Sequence, residues 1–308
     1  MAPRQSASTE DDKNAPAKQG KGVNMDTQVT RLEAVDFHSE DAAERFVKSL
    51  RDTGFGVLKN HPLSQQRVQG IYDNWLTFFG TEEKHKFAFN PEAQDGFFAA
   101  EVAESAKGSD KRDIKEYYHY YPWGQCPTQL KEELQEYYDT TLAFATTLLE
   151  WIERHTPADV AEHYREPLPN MIKGSEQSLL RVLHYPPMTG EEEPGAIRAA
   201  AHEDINLITI LPAANEPGLQ VQGKDGQWLD VPCDFGNLII NIGDMLQEAS
   251  KGYFPSTTHR VINPEGMDFN RSRVSLPLFI HPRSEVVLSE RHTAHSYLME
   301  RLRELGVI

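Results

Sequence analysis

The 308-residue sequence is poor in cysteine, in basic residues and in long apolar segments. Its two cysteines, Cys126 and Cys233, are too few for a disulfide framework, which fits a reducing compartment. Lysine and arginine total 31 against 47 acidic residues, and the net charge of −16 argues against a nucleic-acid partner. No apolar run could span a bilayer, and the first residues lack the build of a secretion signal. We therefore expect a cytoplasmic protein without membrane or nucleic-acid partners.

The composition along the chain predicts three parts. Residues 1–29 are polar and charged with almost no apolar side chains, which predicts a disordered tail and leaves organellar targeting by this segment open. Residues 30–175 carry apolar side chains mainly at helical spacing, which predicts a mostly helical N-terminal module. Residues 176–308 change to short strand-like segments with turn signals, followed by a C-terminal helix. Together these patterns predict an α+β fold with a β-sandwich or closed barrel as its core.

Three side chains in the β-rich part have the chemistry of an iron site. In an extended segment, residues i and i+2 point the same way, so His202 and Asp204 can bind one ion. His259 comes from a distant strand-like segment and offers a second imidazole. Two histidines and one carboxylate form the facial triad of non-haem Fe(II) oxygenases, with open coordination positions. Each residue alone is weak evidence among 12 histidines and 47 acidic residues, so the prediction rests on their combination.

A second pair of polar residues lies further along the same part of the chain. Arg273 offers a planar guanidinium that suits a carboxylate, and Ser275 follows at i+2, on the same face of a predicted strand. Arg271, two residues earlier, could compete for the same carboxylate. The predicted strand position favours Arg273.

These residues resemble the isopenicillin N synthase-like family of Fe(II)- and 2-oxoglutarate-dependent oxygenases. The resemblance covers nearly all of the chain after the tail. It implies a double-stranded β-helix, or jelly-roll, core with flanking N-terminal helices and a C-terminal helix. It also implies that the iron ligands are His202, Asp204 and His259.

The same resemblance implies where the cosubstrate binds. Arg273 and Ser275 match the pair that holds the distal carboxylate of 2-oxoglutarate, and Tyr185 matches a tyrosine near that cosubstrate. Many plant members have asparagine two residues before this tyrosine, whereas this chain has Leu183. The resemblance therefore leaves the hold on the other end of the cosubstrate without an assigned residue.

The resemblance implies a dioxygenase that uses Fe(II), O2 and 2-oxoglutarate, with ascorbate as a stimulant, and releases succinate and CO2. Its substrate is expected to be a small metabolite, an amino acid or an amino-acid-derived compound in a specialised pathway, oxidised at an unactivated C–H bond. Hydroxylation, desaturation and oxidative ring closure all stay open, and a monomer or weak homo-oligomer is expected. The alternatives are an iron oxidase that does not use 2-oxoglutarate, a non-catalytic jelly-roll binding protein and a zinc hydrolase.

The substrate pocket is harder to predict from the sequence. Arg181 shares a strand face with Leu183 and Tyr185, so it is the candidate anchor for a substrate carboxylate; the alternative is that it pairs with a core acid such as Asp244. The aromatic segment 116–123 is either a pocket wall or a strand that packs aromatic rings on both sides. The candidate substrate-binding residues are Arg181, Phe98, Tyr118, Asn206, Gln247 and Phe279.

Overall fold

The computed structural model describes residues 32–100, 113–192, 196–213, 217–232, 234–263 and 271–306. The predicted disordered tail, residues 1–29, lies outside this described part. The segment Arg31–Ile308 forms one compact unit. None of the described helices combines the length and the apolar character that crossing a membrane requires.

The described strands form two sheets. Their bounds are β1 Ala34–Asp36, β2 Phe55–Lys59, β3 Gly96–Phe98, β4 Glu116–Tyr120, β5 Leu179–Tyr185, β6 Ala199–His202, β7 Ile208–Pro212, β8 Leu219–Gln222, β9 Trp228–Asp230, β10 Leu238–Ile242, β11 His259–Val261, β12 Arg273–Ser275 and β13 Leu278–Ile280. The larger sheet has the order β1-β2-β10-β7-β13-β5-β4-β3, with β12 paired to β5. The smaller sheet has the order β6-β11-β8-β9.

The described part of the chain also forms helices, and the apolar sides of the longer ones pack on the outer face of the larger sheet. They are α1 Ala42–Thr53, α2 Gln65–Phe79, α3 Thr128–Arg154, α4 Ala158–Ala161, α5 Leu168–Met171, α6 Asp244–Ala249 and α7 Ala294–Glu304, with a 3₁₀ helix at Glu82–Phe87. Two of the described helices have an N-terminus capped by a side-chain hydroxyl. Ser64 accepts the backbone N–H of Arg67 at the start of α2, and Thr293 with Ser296 forms a capping box at α7.

Strand alternation gives the larger sheet two different faces. Outward side chains such as Val182 and Ile210 join the main apolar core with Trp75 and Leu134 from the helices. Inward side chains near the smaller sheet form a second core that includes Phe55 and other residues. Two packed sheets with helices on one face are a jelly-roll arrangement, which confirms the predicted double-stranded β-helix fold.

The predicted N-terminal module contributes strands to this core. β1 and β2 extend one end of the larger sheet, and β3 and β4 extend the other end beyond β5. On the inner face, Phe98 and Tyr117 pack with Leu183 and Tyr185 in a small third cluster. Residues before and after position 175 therefore line one continuous inner surface.

Candidate active site

The structure brings the three predicted iron ligands together. His202 ends β6 and His259 begins β11, and the two residues are direct partners in the register of the smaller sheet. Asp204 follows two residues after His202, and its Oδ1 lies 3.9 Å from Nε2 of His202 and 3.8 Å from Nε2 of His259. An ion with bonds of about 2 Å to nitrogen and oxygen fits among these three atoms. Within the described residues, this is the cluster whose ligand atoms are spaced for a metal.

Backbone carbonyls orient both imidazoles toward that ion. Nδ1 of His202 lies 2.7 Å from the carbonyl oxygen of Ala200, and Nδ1 of His259 lies 3.1 Å from that of Thr257. An Nδ1–H that donates to a carbonyl leaves the Nε2 lone pair free for a metal. Desolvation, followed by repulsion from His259, lowers the pKa of His202 to about 4. The His202 ring is therefore neutral at physiological pH, as a ligand must be.

The carboxylate of Asp204 is held from the opposite side. Its Oδ2 accepts hydrogen bonds from Thr209 Oγ1 at 2.5 Å and from Asn241 Nδ2 at 2.8 Å, so Oδ1 faces the imidazoles. Burial alone would raise the pKa of Asp204, but the two histidines and these two donors outweigh burial and lower it. Asp204 is therefore ionised and fixed in the orientation that a metal requires.

We expect Thr209→Val to weaken metal binding by roughly 10- to 100-fold, the usual effect of removing a group that orients a ligand. Valine keeps the shape of the threonine but cannot donate to Asp204. Calorimetric titration of the metal-free protein with Mn2+ measures the effect. The matched control is Thr258→Val, which removes an exposed hydroxyl bond to Glu203. Equal Mn2+ affinity in the two variants would contradict the role of Thr209.

Arg273, the arginine predicted to bind a carboxylate, is buried, and part of its guanidinium makes no hydrogen bond to the described residues. Arg273 is 5% exposed, and its Nε and Nη1 have no hydrogen-bond partner among the described residues. A buried cation left this way is costly unless a ligand supplies the acceptors, so a carboxylate fits here. In register, Arg273 lies opposite Tyr185 and Ser275 opposite Leu183 on the inner face. Arg271 is exposed, whereas Arg273 is buried, and the choice of Arg273 stays a prediction.

Comparisons with known proteins agree with this geometry. Residues 176–282 match the family model of the 2OG-Fe(II) oxygenase superfamily, and residues 28–139 match the N-terminal model described as non-haem dioxygenase in morphine synthesis. A solved structure of a 2OG-Fe(II) oxygenase family protein from Caulobacter crescentus is 30% identical, with a TM-score of 0.75, over 89% of this chain and 99% of that one. The chain belongs to the 2OG-Fe(II) oxygenase superfamily.

Other relatives point the same way. A structure described as an oxygenase, from Shewanella oneidensis, is 62% identical with a TM-score of 0.83, and the match covers 90% of this chain and 100% of that chain. Gibberellin 2-beta-dioxygenase 2 of Arabidopsis thaliana is 26% identical over 82% of this chain and 74% of its own length. The protein is an Fe(II)- and 2-oxoglutarate-dependent dioxygenase. The relatives give no support to the alternatives of a cosubstrate-free oxidase, a binding protein or a zinc hydrolase.

The residues of this 2OG-Fe(II) oxygenase have separate roles toward the metal and the cosubstrate. Iron and 2-oxoglutarate, when bound, supply the oxidising power for attack on a C–H bond, while the cosubstrate is converted to succinate and CO2. His202, Asp204 and His259 would hold the iron, and three protein ligands leave coordination positions for the cosubstrate and oxygen. The buried guanidinium of Arg273 would neutralise a carboxylate of the cosubstrate. These residues would fix the positions of the reactants.

Three of the predicted substrate-binding residues lie on the inner face of the larger sheet. Phe98 stacks on Tyr117 with ring centroids 4.6 Å apart. The guanidinium carbon of Arg181 lies 4.7 Å from the Tyr117 ring centroid and 5.3 Å from that of Phe279. These residues therefore form one aromatic wall around a cation, and their role in substrate binding stays a prediction.

The other three predicted substrate residues are placed differently. Tyr118 points to the outer face, where it packs on Trp75, because strand alternation sends Tyr117 inward instead. Asn206 is fully buried and donates to the Ile208 carbonyl and to Thr209 Oγ1, so it supports the Asp204 side chain indirectly. Gln247 accepts the backbone N–H of Ser256 and so holds the loop before His259.

Several important residues were missed in the sequence. Thr209 and Asn241, which hold Asp204, are polar residues on the inward positions of otherwise apolar strands, and that pattern is a signal that could have found them. His119 donates from Nδ1 to the Gln94 carbonyl and accepts Nε–H of Arg181 at 2.8 Å. Desolvation, helped by the Arg181 charge, lowers the pKa of His119 well below its usual value, so it is neutral and can accept.

Asp244 is tied to the C-terminal helix. Its carboxylate lies 3.3 Å from Nη2 of Arg301 on α7, and its backbone N–H donates to the carbonyl of Asp204 at 2.7 Å. The suggested alternative partner of Arg181 is therefore paired with Arg301. The arrangement connects the last helix to the loop that carries an iron ligand.

Proposed function

We propose that this dioxygenase oxidises an unactivated C–H bond of a small organic acid, such as an amino acid or an amino-acid-derived compound, and that Arg181 binds the acid group. The observation that carries the proposal is the position of the Arg181 guanidinium between the Tyr117 and Phe279 rings. A planar cation between aromatic faces is suited to a carboxylate that approaches in its plane.

The position of Arg181 relative to the metal also supports this assignment. Phe279 is the register partner of Thr209, and Thr209 donates to Asp204. Arg181 is thus separated from an iron ligand by one aromatic ring and one hydrogen-bonded threonine across the inner face. A substrate anchored at Arg181 would extend toward the metal over the Phe279 ring.

His119 gives the guanidinium a defined orientation. Because Nε of Arg181 donates to Nε2 of His119, the plane of the guanidinium is fixed relative to the sheet. His119 itself is fixed by its bond to the Gln94 carbonyl. Orientation of this kind favours a carboxylate over a single-point acceptor, which supports an organic acid as the substrate class.

The experiment is a screen of amino acids and other small carboxylic acids, each beside its neutral amide, with Fe(II), 2-oxoglutarate and ascorbate. Succinate released in response to the compound identifies a substrate. Mass spectrometry then separates hydroxylation, by the gain of an oxygen atom, from desaturation or ring closure, by the loss of a hydrogen pair. We expect acids to be accepted and their amides rejected; a substrate set without any acid would overturn the proposal.

Arg181→Met tests the anchor with an acid found in that screen. We expect KM for the acid to rise by roughly 10- to 100-fold, the usual effect of losing a hydrogen bond to a charged group. Turnover of 2-oxoglutarate without substrate should stay unchanged. The matched control is Arg260→Met, because Arg260 also stacks on a ring, that of Trp228 at 4.0 Å, and donates Nε to a side chain, that of Gln220. A similar KM in both variants would remove Arg181 from the site.

A further inference from the structure

Lys115 is a buried cation on the inner face that the mechanism so far does not use. It precedes β4, and alternation places Lys115, Tyr117 and His119 on one face of that strand. Glu116 pairs with His184 in the register of β4 and β5, so Lys115 lies at the level of Tyr185. Its exposed fraction is 7%, and its charge is buried beside the Asp113 carboxylate.

Tyr185 is also in register with Arg273, the arginine predicted to bind the cosubstrate. On the other side of β5, Arg273 is the register partner of Tyr185. Arg273, Tyr185 and Lys115 therefore form a row of three residues across three adjacent strands. The row has a cation at each end and an aromatic ring in the middle, so it suits a ligand with an anionic group at both ends.

Lys115 is linked to the iron ligand His202 by a short chain of hydrogen bonds. Its Nζ donates to Asp113 Oδ2 at 2.7 Å, and Asp113 Oδ1 accepts the backbone N–H of Ala200 at 2.9 Å. The carbonyl of the same Ala200 accepts from Nδ1 of His202. These contacts hold the ammonium group on the side of the sheet where the metal binds.

The ammonium group has donors to spare. An ammonium carries three N–H groups, and the described residues supply a partner for one of them, the Asp113 carboxylate. Nζ also lies 5.9 Å from the Tyr117 ring centroid. The remaining N–H groups of Lys115 are therefore available to a ligand on the inner face.

Leu183 leaves a place for such a donor. Leu183 lies between Tyr117 and Ser275 in the sheet register, and its apolar side chain cannot hydrogen-bond a ligand. Arg273 accounts for one carboxylate of 2-oxoglutarate, and β5 offers no side-chain donor at Leu183 for the other. We propose that Lys115 binds the carboxylate beside the keto group of 2-oxoglutarate, at the end that faces the metal. The proposal does not depend on the role of Arg181.

The test measures binding and not turnover. The full chain is loaded with Mn2+, which supports no oxidation, and titrated calorimetrically with 2-oxoglutarate. We expect Lys115→Met to raise Kd by roughly 10- to 100-fold, as for a lost hydrogen bond to a charged group. The matched control is Lys84→Met, which breaks a similar pair, Lys84 with Glu116 at 2.9 Å, whose carboxylate belongs to the opposite face of β4. An unchanged Kd in Lys115→Met would overturn the proposal.

A second ligand identifies which end of the cosubstrate Lys115 contacts. 2-Oxopentanoate keeps the keto acid and lacks the distal carboxylate. We expect Lys115→Met to weaken the binding of 2-oxopentanoate by about the same factor as that of 2-oxoglutarate. Arg273→Ala should weaken the binding of 2-oxoglutarate alone. Loss confined to 2-oxoglutarate in Lys115→Met would overturn the proposal, because the ammonium would then act on the distal end.

A double variant separates ligand binding from a structural role. Lys115→Met alone leaves the Asp113 carboxylate buried and unpaired, which can disturb the fold. Lys115→Met with Asp113→Asn removes both charges, and thermal melting checks that it folds. We expect its affinity for 2-oxoglutarate to stay low. Affinity restored to that of the unchanged protein would mean that Lys115 serves only to neutralise Asp113, and the proposal would fail.

Discussion

Replacing His202 by alanine is expected to abolish iron binding and all substrate oxidation. Nε2 of His202 and Nε2 of His259 lie 3.9 and 3.8 Å from Oδ1 of Asp204, so each can supply a separate bond to one ion. The loss should exceed the roughly 10- to 100-fold effect of residues that only orient a ligand. Iron bound per chain and oxygen consumption with 2-oxoglutarate measure it.

A histidine outside the site provides the control for this variant. His155 follows α3, where its Nδ1 lies 2.9 Å from the Trp151 carbonyl. His155→Ala should keep both iron and oxygen consumption. If His202→Ala still consumed oxygen at the rate of the His155 variant, the ion would not be bound by the three residues assigned here.

Arg273→Ala is expected to raise the 2-oxoglutarate requirement steeply while iron still binds. Arg273 is buried, and the part of the chain that the structure describes supplies no acceptor for its Nε and Nη1, which a carboxylate would provide. Truncating one partner of a buried charge pair costs roughly 2–5 kcal/mol, which corresponds to a Kd increase of at least about 30-fold. Calorimetric titration of the Mn2+-loaded protein with 2-oxoglutarate gives the value directly.

Two further variants define the specificity of this effect. Arg273→Lys keeps the charge but loses the planar pair of donors, so we expect an intermediate Kd. Arg271→Ala removes the exposed neighbour that the sequence offered as a competitor, and we expect no change. A larger effect at Arg271 than at Arg273 would transfer the carboxylate site to the exposed arginine.

The sequence was most informative where spacing alone determines geometry. His202 and Asp204 are two residues apart, and any extended backbone places their side chains on one side. The family resemblance supplied the fold, which the structure and its relatives confirm. The helix expected at the end of the chain is α7. Its N-terminus is capped by the hydroxyl of Thr293.

The sequence was least informative where the orientation of a strand depends on its neighbours. Residues 117–121 all carry a tyrosine or histidine ring, at odd and even positions alike. The hydrophobic pattern therefore could not tell which rings face inward. The pairing of β4 with β5 decides this, and it turns Tyr117 inward and Tyr118 outward. Asn206 shows a second limit, because a polar residue beside a ligand can equally well complete a local hydrogen-bond network.

The metal ligands come from both layers of the jelly roll. His202 and His259 belong to the smaller sheet, whereas Thr209 and Asn241 fasten Asp204 to the larger one. A bound ion therefore cross-links the two sheets, and part of its binding free energy stabilises their packing. We expect that removing the metal with a chelator lets the two sheets separate near His202 and His259 before either sheet unfolds. Catalytic activity and the contact between the sheets would then be lost together.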